Sequence, residues 1–419
     1  MDSNEEKIIE AKEHVVDETA ADAKPTVTPP ELPLDWTKIG SEQPAMVIRY
    51  PSDVLEFSNS PEETELTIVG TAGHKITKMG TDLASRCSPN LTHLVLRSHL
   101  IHKMEGLRGF EKLELLELYD NMVDSLDDLN EGEDGKPGVT LRVLDMSYNA
   151  IRDMGPVQFC PNLQELYLAN NKLKTMAGLR HLSKLRKIDL GANRLRVMDE
   201  EELSGLQDLE ELWLGKNKIE RIGGISKLTK LRRLDVQSNR LTAIENLSSQ
   251  VDTLEELYLA NNGISDEGAT CETGLALPFS KLNTLDLSKN RLTTTTPFVH
   301  IHSLEELWLS SNDIKTFDDV EPIAILGSRD GACLEGIYLE YNPVSKEFDY
   351  RKRIAAMLPS LNQIDADWIG GIASHGLGSS GNLSGQSLEA RMKMMQELTI
   401  ARARAQQEQE QRAKESGSD

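Results

Sequence analysis

The sequence predicts an α/β fold. It is a right-handed solenoid with a curved parallel β-sheet on its concave face, turns and short 3₁₀ or α helices on its convex face, and a helical C-terminal cap. Three observations predict it. A leucine pattern recurs eleven times through the middle of the chain, Asn stands at its ninth position in ten of those copies, and apolar residues follow two and five positions further on. A pattern that repeats in phase over some 250 residues marks a stack of like units, because one coil cannot bury its own leucines whereas stacked coils bury each other's.

The unit is LxxLxLxxN followed by x-I-x-x-I. It begins at Leu91, Leu113, Leu141, Leu163, Leu185, Leu209, Leu231, Leu254, Leu282, Leu304 and Leu334, and five of the ten intervals are 22 residues. This is the leucine-rich-repeat pattern. Its LxL core reads as a short strand, with the leucines turned into the coil and the residue between them turned out. The Asn, from Asn121 through Asn342, reads as structural, its amide satisfying backbone groups where the chain bends after the strand. The first copy departs from this with His99. A 22-residue unit leaves room on the convex side only for a turn or a piece of 3₁₀ helix. Pairs such as Ile151 with Met154, Leu173 with Met176 and Ile219 with Ile222 fill the coil behind it.

Solenoid ends expose apolar surface and need caps. Residues 91–342 hold the eleven repeats and 343–369 the C-terminal cap. There Ser345 is expected to N-cap a helix presenting Tyr350, Ile354 and Met357 on one face, before Leu358, Leu361 and Ile364 close the last coil. Residues 46–90 form the N-terminal capping region, with Leu66, Ile68, Ile76 and Met79 as a degenerate starting coil. Residues 1–45 read as an acidic disordered arm, 370–387 as a Gly/Ser linker, and 388–419 as a Gln/Glu-rich helical or disordered tail. In that tail Leu388, Met392, Met395 and Leu398 could make one apolar stripe, either on a solvated helix or on a partner-binding one. Three insertions, at 130–138, 266–278 and 321–332, are expected as surface loops.

Composition narrows the function classes. With 46 basic and 68 acidic residues the formal net charge is −22, which argues against a nucleic-acid surface and for a partner with basic patches. The cysteines Cys87, Cys160, Cys271 and Cys333 are too scattered for a zinc motif and read as reduced intracellular thiols. The acidic N-terminus has no apolar signal region, and no stretch of 18 apolar residues predicts a membrane span. Sequons at Asn90, Asn246 and Asn382 are therefore expected to be unused. The letters GxGxxG at 376–381 follow no strand, and GxxxxGK[ST], HExxH and GxSxG are absent. No enzyme activity, cofactor or metal is expected.

The informative row is the fifth position of the repeat, the outward residue of the strand. From the second copy it reads Glu117, Asp145, Tyr167, Asp189, Trp213, Asp235, Tyr258, Asp286, Trp308 and Tyr338, all acidic or aromatic in a chain where about a fifth of residues are either. From Asp145 to Trp308 acid and aromatic alternate. Interleaved aromatics relieve repulsion between carboxylates on strands about 4.8 Å apart, but solvent-facing Trp and Tyr in a row favour an interface. The third position adds Glu165, Glu211, Glu256 and Glu306 beside the aromatics. Such a strip suits a partner rich in Lys and Arg, and a ladder of roughly 50 Å could seat a whole domain.

The 22-residue unit, the number of copies and the closing YNP…YRKRIAAMLPSLNQIDAD segment resemble the leucine-rich-repeat regulatory subunits of type 1 protein phosphatase, over roughly residues 66–368. The resemblance implies a concave face that holds the phosphatase catalytic subunit through the acidic and aromatic strip, carried over here to Asp145, Tyr167, Asp189, Trp213, Asp286, Glu306, Trp308 and Tyr338. It further implies action in nucleus and cytoplasm, a role in phosphatase assembly and in mitosis, and a ternary complex with a second phosphatase inhibitor. The short docking motif (basic, Val or Ile, any, Phe or Trp) is absent, since Val157-Gln158-Phe159 lacks the basic residue before it. An alternative is another intracellular scaffold of ciliary or splicing type. The repeat count disfavours the splicing type, and dependence on residues 370–419 would mark the ciliary one.

Overall fold

The computed structural model describes residues 52–55, 57, 60–130, 137–327 and 333–369. The expectations for the arm, linker and tail, and the centres of two insertions (131–136 and 328–332), lie outside the described residues.

Each repeat delivers one short strand, from His93–Arg97 in the first copy to Gly336–Tyr338 in the eleventh. The strands stack in chain order, in parallel, into a right-handed solenoid, and the sheet of fourteen runs from Glu65–Val69 to Asp367–Trp368. Glu65–Val69 is the expected starting coil, in register with His93–Arg97 and carrying Leu66 inward. A further strand unread from the sequence, Ser52–Val54, pairs parallel with Ile76–Lys78 in a separate two-stranded sheet. At the other end Gln363–Ile364 continues the parallel order and Asp367–Trp368 turns back antiparallel.

The core follows from the unit. Leu163, Leu166 and Leu168 of one coil, with Leu173 and its neighbours behind them, are fully buried, and their counterparts repeat this in the other coils. The convex side holds 3₁₀ turns such as Gly155–Phe159 and four-residue helices such as Glu200–Leu203, the latter capped by Asp199 accepting from the Glu201 amide. Two insertions are more than surface loops. The one at 266–278 opens on the helix Asp266–Ala269 and sends Leu275 into the core, and the one at 321–332 buries Ile323 and Leu326. The longer connections thus extend the convex wall.

The Asn ladder ties coil to coil. The amide of Asn193 donates from Nδ2 to the carbonyls of Leu168 (2.9 Å) and Leu190 (3.0 Å), while its Oδ1 accepts from the Leu173 amide (3.0 Å). The residue before each ladder position is left-handed in all eleven copies, from Ser98 to Tyr341. The bend needs it, so non-glycine residues are held at φ of 52–62°. The substitute in the first copy does the same job. The ring of His99 accepts from the Ile76 amide at Nδ1 (3.3 Å) and lies 3.1 Å from the Ile68 carbonyl at Nε2. Gly70 makes room for it, because a Cβ there would lie 2.1 Å from the Ser98 carbonyl oxygen and 2.9 Å from His99 Nδ1.

The C-terminal cap differs from expectation in one respect. Its helix is Tyr350–Met357, but Ser345 lies in the preceding 3₁₀ turn Pro343–Lys346, and the residue before the helix is Asp349 in the left-handed region. The Ser345 hydroxyl donates instead to the Asn342 carbonyl. Asp365 ends the ladder, accepting the Leu339 and Glu340 amides at 2.8 and 2.9 Å and the Tyr350 hydroxyl at 3.1 Å.

Candidate functional site

Strand register sets the fifth-position residues side by side. Asp145 pairs with Tyr167, Tyr167 with Asp189, Asp189 with Trp213, Trp213 with Asp235, Asp235 with Tyr258, Tyr258 with Asp286, Asp286 with Trp308 and Trp308 with Tyr338. The row read from the sequence is therefore continuous across the sheet face, with Glu165, Glu211, Glu256 and Glu306 on the same strands two residues earlier.

Its acids are set back. Asp145, Asp189, Asp235 and Asp286 each turn one oxygen onto the amide two residues ahead, at 2.8–2.9 Å. This closes a local turn at the strand end. Asp235 and Asp286 are only 4% and 5% exposed. Burial raises the pKa of Asp145 and Asp189, and pushes Asp235 up to about 6 against the amide and side-chain hydrogen bonds from Gln237. These carboxylates shape the floor of the strip as well as charging it.

The aromatics are held down by the glutamates. Tyr167 donates its hydroxyl to Glu165 (2.6 Å) and Tyr258 to Glu256 (2.7 Å); Trp213 donates its indole N–H to Glu211 (3.1 Å) and Trp308 to Glu306 (3.0 Å). Each ring is half-buried. Where the alternation ends, Tyr258 meets Trp308 edge-on at 6.5 Å and Trp308 meets Tyr338 at 5.3 Å, a three-ring cluster. Burial pushes the Tyr338 hydroxyl up to about 12, and it accepts from the Gln363 amide at 2.8 Å.

Two charged residues of the face escaped the sequence reading. The third position of the intervening strands holds Lys187 and Arg233, which register sets between the glutamates. Lys187 approaches Glu211 (3.4 Å) and the Tyr167 ring (5.7 Å). Arg233 forks onto Glu256, touches Glu211 (3.4 Å) and covers the Trp213 ring at 5.2 Å. The third position at the centre of the face thus alternates in charge, the bases standing in the coils between the glutamates that the sequence reading named. Further along, the third-position residues flanking Glu306 are Thr284 and Gly336, which carry no charge.

Other chemistry is sparse. Among the described residues no group of three or more His, Cys, Asp or Glu could hold a metal ion, and no helix is long and apolar enough to cross a membrane. A polar groove of about 530 Å³ lies beside the strand starts, at Thr92, Glu114, Arg142 and Gln164, away from the row.

Two family profiles, both described as leucine-rich repeat, match residues 139–195 with 183–241, and 227–369. A protein phosphatase 1 regulatory inhibitor subunit homologue of Arabidopsis thaliana is 34% identical over 182 residues, covering 42% of this chain and 54% of that protein. An acidic leucine-rich nuclear phosphoprotein 32 family member A of Drosophila pseudoobscura pseudoobscura is 33% identical over 130 residues, or 30% of this chain and 43% of that protein. The chain thus spans about half the length of these relatives or less. An internalin of Listeria monocytogenes superposes with a TM-score of 0.59 at 21% identity, over 72% of this chain and 79% of that one. That likeness is one of fold alone.

Proposed function

The chain belongs to the leucine-rich-repeat proteins, and from that premise we propose that it is a non-catalytic regulatory scaffold whose sheet face holds the catalytic subunit of type 1 protein phosphatase. The carrying observation is the in-register row from Asp145 to Tyr338, with its rings fixed by Glu165, Glu211, Glu256 and Glu306. Fixed aromatics are the usual anchors of a protein interface, because their rotamers are set before the partner arrives and little entropy is lost on binding. The reading is supported by the relative named as a phosphatase 1 regulatory inhibitor subunit homologue. It takes the partner to be that catalytic subunit, with a second inhibitor joining in a ternary complex, and the site of action to be nucleus and cytoplasm.

The test is capture from cell extract by the full chain and by Trp213→Ala with Trp308→Ala, read by mass spectrometry. Both rings lie outside the leucine core, so the double variant is expected to keep its far-ultraviolet dichroism and to lose several kcal/mol of binding. Capture of the phosphatase catalytic subunit by the wild type alone is the expected result. If the variant captures the same set, the sheet face is not the site; if other proteins dominate the wild-type capture, the scaffold serves a different partner.

A further inference from the structure

The ladder at the third position has a closed centre. Glu211 Oε2 is the convergence point: Trp213 Nε1 donates to it at 3.1 Å, and Arg233 Nη1 and Lys187 Nζ each approach it at 3.4 Å. The other side of the Arg233 guanidinium forks onto both oxygens of Glu256, with Nε at 2.7 Å from Oε2. Its Cζ lies over the Trp213 ring, 5.2 Å from the centroid, and its side chain is only 23% exposed, with those of Glu211 and Glu256 at 30% and 24%. A guanidinium over an indole, between two carboxylates, is the arrangement an incoming arginine would seek on such a face. Here the chain supplies it from its own strand.

We infer that Arg233, backed by Lys187, is a specificity-determining residue of the sheet face: an internal counter-ion that closes the central rungs to a partner's lysines and arginines. The inference rests on the sheet face being the docking surface. Two glutamates and a tryptophan ring that would attract a cation are already engaged, and displacing Arg233 would leave a guanidinium to be accommodated on a half-covered surface. The partner therefore meets the central rungs with neutral or acidic groups, and its cationic groups are directed to other parts of the row. A purely acidic strip would have accepted basic groups along its whole length. This one sorts them by position, which is specificity through an unfavourable contact.

The experiment titrates the full chain with a hexa-arginine amide peptide by calorimetry at low salt, where face electrostatics are least screened. Arg233→Gln removes the charge while keeping a polar side chain; it is expected to bind the peptide about tenfold more tightly than the wild type, a change of about 1.4 kcal/mol. Arg233→Lys keeps the charge and is expected to stay within about twofold of the wild type, a difference near 0.4 kcal/mol. Arg232→Gln is the control for net charge, since Arg232 pairs with Glu255 at the strand margin, and it is expected to leave affinity unchanged. The inference is overturned if Arg233→Gln, with unaltered dichroism, binds no more tightly than the wild type, or if Arg232→Gln gains as much. The peptide titration needs no phosphatase, so failure to capture the catalytic subunit sinks the proposed function without touching this result.

Discussion

His99 offers a direct test of the ladder logic. Its ring bridges the first two coils only in the neutral form that carries the proton on Nε2, because Nδ1 must accept from the Ile76 amide while Nε2 donates to the Ile68 carbonyl. Burial, with the nearby Lys75, lowers its pKa below the ordinary 6.5. A base with a lowered folded pKa gains protons on unfolding. Its contribution to stability is therefore complete above about 6.5 and falls as pH drops from there toward the lowered value. Protonation sets a donor against the Ile76 amide, and a buried unmet donor costs about 1–3 kcal/mol. The bridged segment is at the end of the stack, where opening is local, so the loss is expected in residues 65–80 before the central repeats. The assay is hydrogen exchange at pH 7.5 and 5.5, corrected for intrinsic rates, on the wild type and on His99→Asn. Asn makes the same two bonds elsewhere in the ladder without titrating. The wild type is expected to lose more protection on acidification than the variant, by no more than about 1.4 kcal/mol, the most that one pH unit below the unfolded value of 6.5 allows. Equal losses in the two proteins would refute the bridging role.

Three further expectations follow from the same geometry. Asn193→Ala removes a 7%-exposed amide that serves the Leu168 and Leu190 carbonyls and the Leu173 amide; urea unfolding should show a loss of about 2–4 kcal/mol, and a loss under 1 would contradict the ladder's role. Ala192 sits at φ 52°; Ala192→Gly relieves about 1–2 kcal/mol of left-handed strain against about 0.5–1 of added unfolded-state entropy, so the melting temperature should hold or rise slightly, and a clear fall would be the contrary result. Asp235→Asn keeps an acceptor for the Gln237 amide and removes a charge whose pKa burial raises to about 6. A raised carboxyl stabilises the fold below its unfolded value near 3.8 and loses that contribution as pH climbs through 6, so the variant should be more stable than the wild type at pH 7.5 and indistinguishable at pH 3.5, by parallel melts.

The sequence made the row legible because a solenoid places every coil in the same register: a residue's position within the repeat is also its place on the sheet. Tyr167, Trp213, Tyr258 and Trp308 are therefore where their spacing put them. The direction of each side chain was harder to see. Asp145, Asp189, Asp235 and Asp286 turn back onto the amide two residues on, a bond that a row viewed only across strands does not reveal, although Asp followed by x and a small or amide residue was visible in all four. Lys187 and Arg233 were in plain view at the third position, but they acquire meaning only once register puts them between Glu165, Glu211 and Glu256. His99 reads as a break in the Asn column until the contacts with Ile76 and Ile68 show two ring nitrogens doing an amide's work. Ser345 failed as a helix cap because Pro343 starts a 3₁₀ turn first and the helix begins after Asp349.

Asp235 and Arg233 together make the mode of docking measurable from one quantity, the protons exchanged on binding. Asp235 stands in the floor of the central rungs between Trp213 and Tyr258, with its pKa near 6 chiefly because water is excluded from it. A partner that covers these rungs with neutral or acidic groups excludes still more water, raises that pKa further, and draws protons onto the complex between about pH 6 and 7. A partner that sets a lysine or arginine there does the reverse, since a nearby cation favours the carboxylate, and protons are released. Calorimetry of the complex at pH 6.5, in two buffers of different ionisation enthalpy, gives the sign. Uptake that disappears in Asp235→Asn is expected from the counter-ion role of Arg233. Release that disappears in the same variant would mean that the partner's cations reach the central rungs despite Arg233, and the sorting of charge along the face would have to be given up.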